Sequence, residues 1–231
     1  MMDLQKTIEE QRSEPGYTFS HSAGDLALDF INTVSTAGMY QDMRYEANPK
    51  YTGDHIGNYI DFVEWGRQLQ LITDAEAERL VVRAGEHPRE AEEAVAAVRK
   101  FRHALYRVFT GYSLGLPVSE EALEALNAEL PVALAHMRLR NGANGFQWGW
   151  DQESDDLTKM LWPVARSAVD LLTEEGRRLE RVHQCAANDC GWLFIDMSKN
   201  HSRRWCDMSN CGNQAKARRH YHRKKGQKIE A

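Results

Sequence analysis

The chain has 231 residues, of which 42% are hydrophobic, 27% charged and 9% aromatic, enough apolar material to bury a substantial core in one to two globular domains. No stretch approaches eighteen consecutive apolar residues, and the opening MMDLQKTIEEQRSEPG is acidic and polar where a secretory signal needs a basic start and an apolar run. Neither a membrane span nor export is expected, and the cytoplasm is the expected location. The net charge of -5 conceals a division. From Cys185 onward there are ten lysines and arginines against four acids, leaving nineteen against thirty in the preceding 184 residues. A basic tail on an acidic body points to a polyanionic partner, because a local positive field attracts phosphates whatever the sign of the whole chain.

In chain order, residues 1–16 read as a disordered tail ending at Pro15 and Gly16. The segment DLALDFINTVST sets Leu26, Phe30, Ile31 and Val34 at helical spacing, with Ser22 or the Gly24–Asp25 step as its opening signal. A polar stretch from Thr36 to Asn58 reads as a long functional or mobile loop. Tyr59, Phe62, Val63 and Leu69 mark a helix, and Thr73 with Glu76 forms a capping box opening the next. Pro88 suits the first position of a long helix with an apolar stripe at Val95, Val98, Phe101, Leu105, Phe109 and Tyr112. Ser119 is expected to cap a further helix through Leu123, Leu126 and Leu130 that ends near Pro131. The NGANG cluster between Ala133–Arg140 and Phe146–Trp150 predicts a hairpin, and Ser154 and Asp155 the start of a helix burying Leu157, Met160, Leu161, Val164, Ala168, Leu171 and Leu172. The sum is an α+β fold, mainly helical, over residues 17–178.

All four cysteines lie in the basic segment, spaced C-x4-C-x15-C-x4-C at Cys185, Cys190, Cys206 and Cys211. Two short Cys loops can each bring two thiolates to one zinc ion, which accepts tetrahedral sulfur ligation; disulfides and buried free thiols are the alternatives. Four protein ligands would leave no open position, making such a site structural. Leu179–His183 and Trp192–Ile195 read as short strands around the first pair, and a helix is expected after Cys211, so residues 179–231 form a second domain with the order of a treble clef. On that helix Lys216, Arg219 and Arg223 share a face with His220 beside them, Arg218, His222 and Lys225 form an adjoining stripe, Lys224 is a further candidate contact, and Arg203 and Arg204 enter from the preceding turn. No acid occurs from Ser209 to Gly226, so these charges are not helix-stabilising pairs, and an external polyanion such as a nucleic acid is the natural compensation. Asn213 and Gln214 are candidate base readers, against the simpler role of shaping the turn at the metal.

The run C-x4-C-G-W-L-F-x-D-x-S, then R-R-W-C, then C-G-N with a basic helix of the form K-x-R-R-x-Y, resembles the CGNR zinc finger over about Cys185 to Lys225. The upstream LALDFINT resembles the signature of the ABATE domain that accompanies that finger. The resemblance implies a stress-linked transcription regulator with an N-terminal α+β domain, a treble-clef-like finger binding zinc through the four cysteines, and DNA as partner. Gln214 stands where the motif has Arg, which removes one guanidinium and leaves the metal ligands unchanged.

Asp25, Asp29, Asn32 and Thr33 could line a pocket for a small-molecule effector, against the alternative of a polar helix face. A homodimer is a further expectation. An adaptor whose basic finger docks on an acidic protein surface is the alternative function. No catalytic role is expected: a nuclease built on Asn200, His201, Asn210 and His220 would need a second metal group that the sequence does not place.

Overall fold

Four helices of the body start on a recognisable signal. In the computed structural model, which describes residues 4–34, 53–142, 145–174, 178–187 and 190–227 and, for residues 220 and 222–227, the backbone alone, eight helices and two small hairpins occur among the described residues. Helix α2 (Leu26–Ile31) is capped by Asp25, whose carboxylate accepts the Ala27 N–H. Helices α3 (Tyr59–Gln68) and α4 (Asp74–Glu86) open on full capping boxes, Asn58 with Asp61 and Thr73 with Glu76. Helix α5 (Pro88–Ser113) begins on its proline and runs for 26 residues. Its Val98, Leu105 and Phe109 lie in the centre of the core with Phe30, Phe62, Trp65 and Trp162, and the Phe62 and Trp65 rings stack at 5.8 Å. Tyr112, at the end of the expected stripe, is exposed.

Four sequence expectations are corrected. Residues 4–16 pack on the body: α1 (Leu4–Gln11) buries Ile8 completely. Ser13 fixes its exit by donating backbone N–H and hydroxyl to Asp61 at 3.0 and 2.6 Å, and buried Arg12 donates to the Tyr17 carbonyl. Helix α6 (Glu120–Ala135) continues four residues past Pro131, although a proline inside a helix forfeits one hydrogen bond and crowds the carbonyl one turn back. Ser119 does not cap it through its side chain and instead accepts from Arg107. Helix α7 (Leu161–Thr173) starts later than Ser154, because Asp156 ties Thr158 into a turn. Of the expected long loop, residues 35–52 lie outside the described residues.

Strands β1 (Met137–Gly142) and β2 (Gly145–Trp150) pair antiparallel, Leu139 opposite Trp148 and Asn141 opposite Phe146. Beyond α7, a short 3-10 turn (Leu179–Arg181) leads to β3 (Val182–Gln184), which pairs antiparallel with β4 (Leu193–Ile195), and a wide helical turn (Met208–Gly212) opens α8 (Asn213–Gln227). No helix among the described residues is long and apolar enough to cross a membrane.

Candidate metal centre and basic helix

Hairpin β3–β4 brings the first two cysteines together. Cys185 follows β3 and extends the ladder by donating to the Trp192 carbonyl at 2.8 Å, while the Cys190 N–H closes a turn onto Ala187 at 3.1 Å. The second pair joins through backbone: Ala186 N–H donates to the Arg204 carbonyl at 2.8 Å, and Cys206 N–H points at Cys185 Sγ at 3.4 Å. Beyond them, Asp207 accepts the Ser209 and Asn210 N–H groups and turns the chain back so that Cys211 closes the group.

The four Sγ atoms all lie within 4.8 Å of one another, with Cys190–Cys206 at 3.6 Å and Cys206–Cys211 at 3.7 Å. A tetrahedron with metal–sulfur bonds of about 2.3 Å has edges of about 3.8 Å, whereas a disulfide needs about 2.05 Å. The cysteines are unbridged, and this donor set fits zinc. Without a cation the cluster cannot ionise fully. S–H groups from Cys190 and Cys206 hold the Cys185 thiol below its usual range; the same bonds to Cys185 raise Cys190 and Cys206, and burial raises Cys211. A divalent ion replaces those shared protons and relieves the conflict. Among the described residues these four cysteines form the one group of three or more cysteine, histidine, aspartate or glutamate side chains placed to hold a metal.

Phe194 lies buried against the sulfurs, flanked by Trp192 and Trp205. Strand β4 is a wall shared by two cores: Phe194 faces the cysteines, while Leu193 and Ile195, on the opposite side of the pleat, belong to the core of the helical body. Polar ties follow the same line. The Asn32 side chain acts as a stretch of strand, donating to the Leu193 carbonyl at 2.8 Å and accepting its N–H at 3.0 Å. Trp192 Nε1 donates to the Val34 carbonyl at 2.8 Å, and Ile195 N–H to the Ala23 carbonyl at 2.8 Å.

The cationic residues divide by direction. Arg203 is turned inward: its guanidinium lies 4.5 Å from the Phe194 ring centroid and donates to the carbonyls of Trp205 and Cys206. Sequence gives charge but not direction, and here a residue expected at DNA clamps the finger. Arg204, Lys216, Arg218 and Arg219 are exposed; Arg223 and Lys224 lie on the α8 backbone, their side chains outside the description. Asn213 and Gln214 are exposed but locally engaged, with Ser209 O at 2.9 Å and Asn210 Oδ1 at 2.7 Å.

The four residues expected at a pocket separate. Asp25 and Asp29 line a hollow of about 520 Å³ with His21, Gly24, Leu26 and Gln68–Gln70. Asn32 and Thr33 do not: Asn32 holds β4, and the Thr33 hydroxyl donates to the Phe30 carbonyl and accepts from Arg102. Burial raises the Asp29 carboxyl from 3.8 to about 6, so its ionisation opposes folding; the penalty is absent below pH 4, develops as pH rises, and is complete above about 6. Asp29→Asn keeps an oxygen for the Ala23 N–H. It is expected to stabilise the protein by on the order of 2 to 3 kcal/mol at pH 7.5 and by nearly nothing at pH 4, read from denaturant unfolding at both pH values.

Comparison with known proteins follows the same division. Residues 24–175 match the family model of ABATE, described as "Putative stress-induced transcription regulator", and residues 181–224 match the CGNR zinc finger. No curated protein matches the chain. With its family model spanning the helical body and four clustered sulfurs in the second segment, the chain belongs to the ABATE family and carries a CGNR zinc finger, and zinc is its metal.

Proposed function

We propose that the chain is a DNA-binding transcription regulator in two units dividing near residue 179, in which Cys185, Cys190, Cys206 and Cys211 hold zinc and α8 meets the DNA backbone. When bound, zinc supplies the cross-link that orders a segment with few apolar residues of its own. The order of the elements, a hairpin carrying the first Cys pair and a helix opening beyond the last cysteine, favours a treble-clef reading of the finger.

One observation carries the proposal: Lys216, Arg218 and Arg219 are exposed on a helix that starts two residues after Cys211 and has no acid within it through Gly226. Like charges so close on one helix oppose its formation, and a polyanion offsets that cost. Arg204 adds a cation from the preceding turn, and Arg223 and Lys224 continue the series. Arg203 leaves the contact set because its Nε and one Nη donate to the finger's own carbonyls and its guanidinium lies over the Phe194 ring. The adaptor alternative is less favoured, since the finger meets the acidic body through β4 and Trp192 and leaves Lys216 and Arg219 exposed.

Four to six cations on phosphates predict a slope of roughly -4 to -5 for log affinity against log salt concentration. Fluorescence-anisotropy titration of duplex DNA between 50 and 200 mM salt measures it, and an absence of binding at 50 mM would remove the proposal.

A further inference from the structure

The hollow over Asp29 contains two carboxylates with opposite circumstances. Asp25 is fully engaged: it accepts the Ser167 hydroxyl at 2.6 Å and the Ala27 N–H at 3.1 Å, and it pairs with Arg178 at 3.2 Å. Asp29 is only 7% exposed and accepts one hydrogen bond, from Ala23 N–H to Oδ1 at 2.9 Å. Among the described residues its second oxygen has no hydrogen-bond partner and no lysine or arginine pairs with it, although it lines a space large enough for a small molecule.

A buried carboxylate is expensive to keep without a compensating cation, and burial accordingly holds Asp29 towards its neutral form. The other titratable groups facing it are Asp25, which repels its charge, and exposed His21, which favours it. The remaining wall is uncharged, with Leu26 and Leu69 supplying apolar surface and Gln70 an exposed amide. An anion would meet two carboxylates here, and a neutral apolar molecule would leave Asp29 no better satisfied. A donor-rich cation with a short apolar body meets every feature of the wall.

We propose that this hollow binds a small organic cation, a primary ammonium or a guanidinium on a short aliphatic chain, with Asp29 as its charge partner. The site bears directly on the finger. Ala23, whose N–H donates to Asp29, accepts the Ile195 N–H of β4 through its carbonyl, and Gly24, in the wall of the hollow, lies beside the Ile195 side chain. A ligand that fixes Asp29 therefore tightens the strand on which Phe194 and the sulfurs rest. The inference does not depend on DNA binding and is tested without DNA.

Isothermal titration calorimetry of the zinc-loaded full chain at pH 8 with pentylamine and agmatine, and with neutral N-pentylacetamide as control, is the test. The expected result is binding of the two cations, at least tenfold weaker binding of the neutral control, and at least a tenfold loss for both cations in Asp29→Asn. That variant is expected to keep or raise the melting temperature, so its loss of binding would not be a loss of fold. No heat from either cation, equal affinity for N-pentylacetamide, or undiminished binding to Asp29→Asn would each overturn the proposal.

Discussion

Stripping zinc with a chelator is expected to lower the melting temperature of the whole chain, body and finger together, by about 10 °C or more. Structural zinc contributes on the order of 10 kcal/mol to the folding of small fingers, and a chain of this size loses about 2 to 4 °C per kcal/mol. The loss cannot stay local because β4 has Phe194 on the sulfurs and Leu193 and Ile195 among the helices, with Asn32, Val34 and Ala23 bonded along it. If the cysteines disperse, Phe194 loses its packing partners and the strand that completes the helical core frays with it. Calorimetry should show one transition moving down, and Cys206→Ser should reproduce the shift without chelator. Two transitions, the upper one unmoved by chelation, would show that the finger folds independently of the body.

Reversing the charge of α8 is expected to remove DNA binding while leaving the fold intact. Lys216→Glu with Arg219→Glu changes the local charge by four units on a face where neither side chain makes an ion pair among the described residues. Each lost phosphate contact lowers the salt slope by about 0.9, so the double variant should lose nearly two units of slope and at least 100-fold in affinity at 100 mM salt. Its melting temperature should hold or rise slightly, since like-charge repulsion within the helix is relieved. Unchanged affinity would place the DNA contact elsewhere and defeat the assignment of α8.

The features that were legible in the sequence were local ones. Thr73 with Glu76 and Pro88 announce helix starts through hydrogen bonds and torsions spanning one turn, and α4 and α5 begin where they predict. The cysteine spacing was equally readable, because two short loops constrain four sulfurs without reference to the rest of the chain. What escaped depends on distant partners. Helix α1 has the composition of a solvated segment and is ordered by Asp61, 48 residues beyond Ser13. Asn32 reads in sequence as a pocket residue, yet its amide replaces a strand neighbour for Leu193, 161 residues away. Arg203 and Arg204 are adjacent arginines, and the Phe194 ring together with the Trp205 and Cys206 carbonyls holds the first inward. No periodicity carries that information.

The alternation along β4 also sets a rule for how this architecture can vary among related sequences. Adding or deleting a single residue between Cys190 and Leu193 would rotate the strand by half a turn, sending the phenylalanine toward the helices and two aliphatic chains toward the sulfurs. Length in that short connection should therefore be invariant among relatives that keep both halves. The polar excursion from Met197 to Ser202, mostly exposed, should tolerate insertions readily.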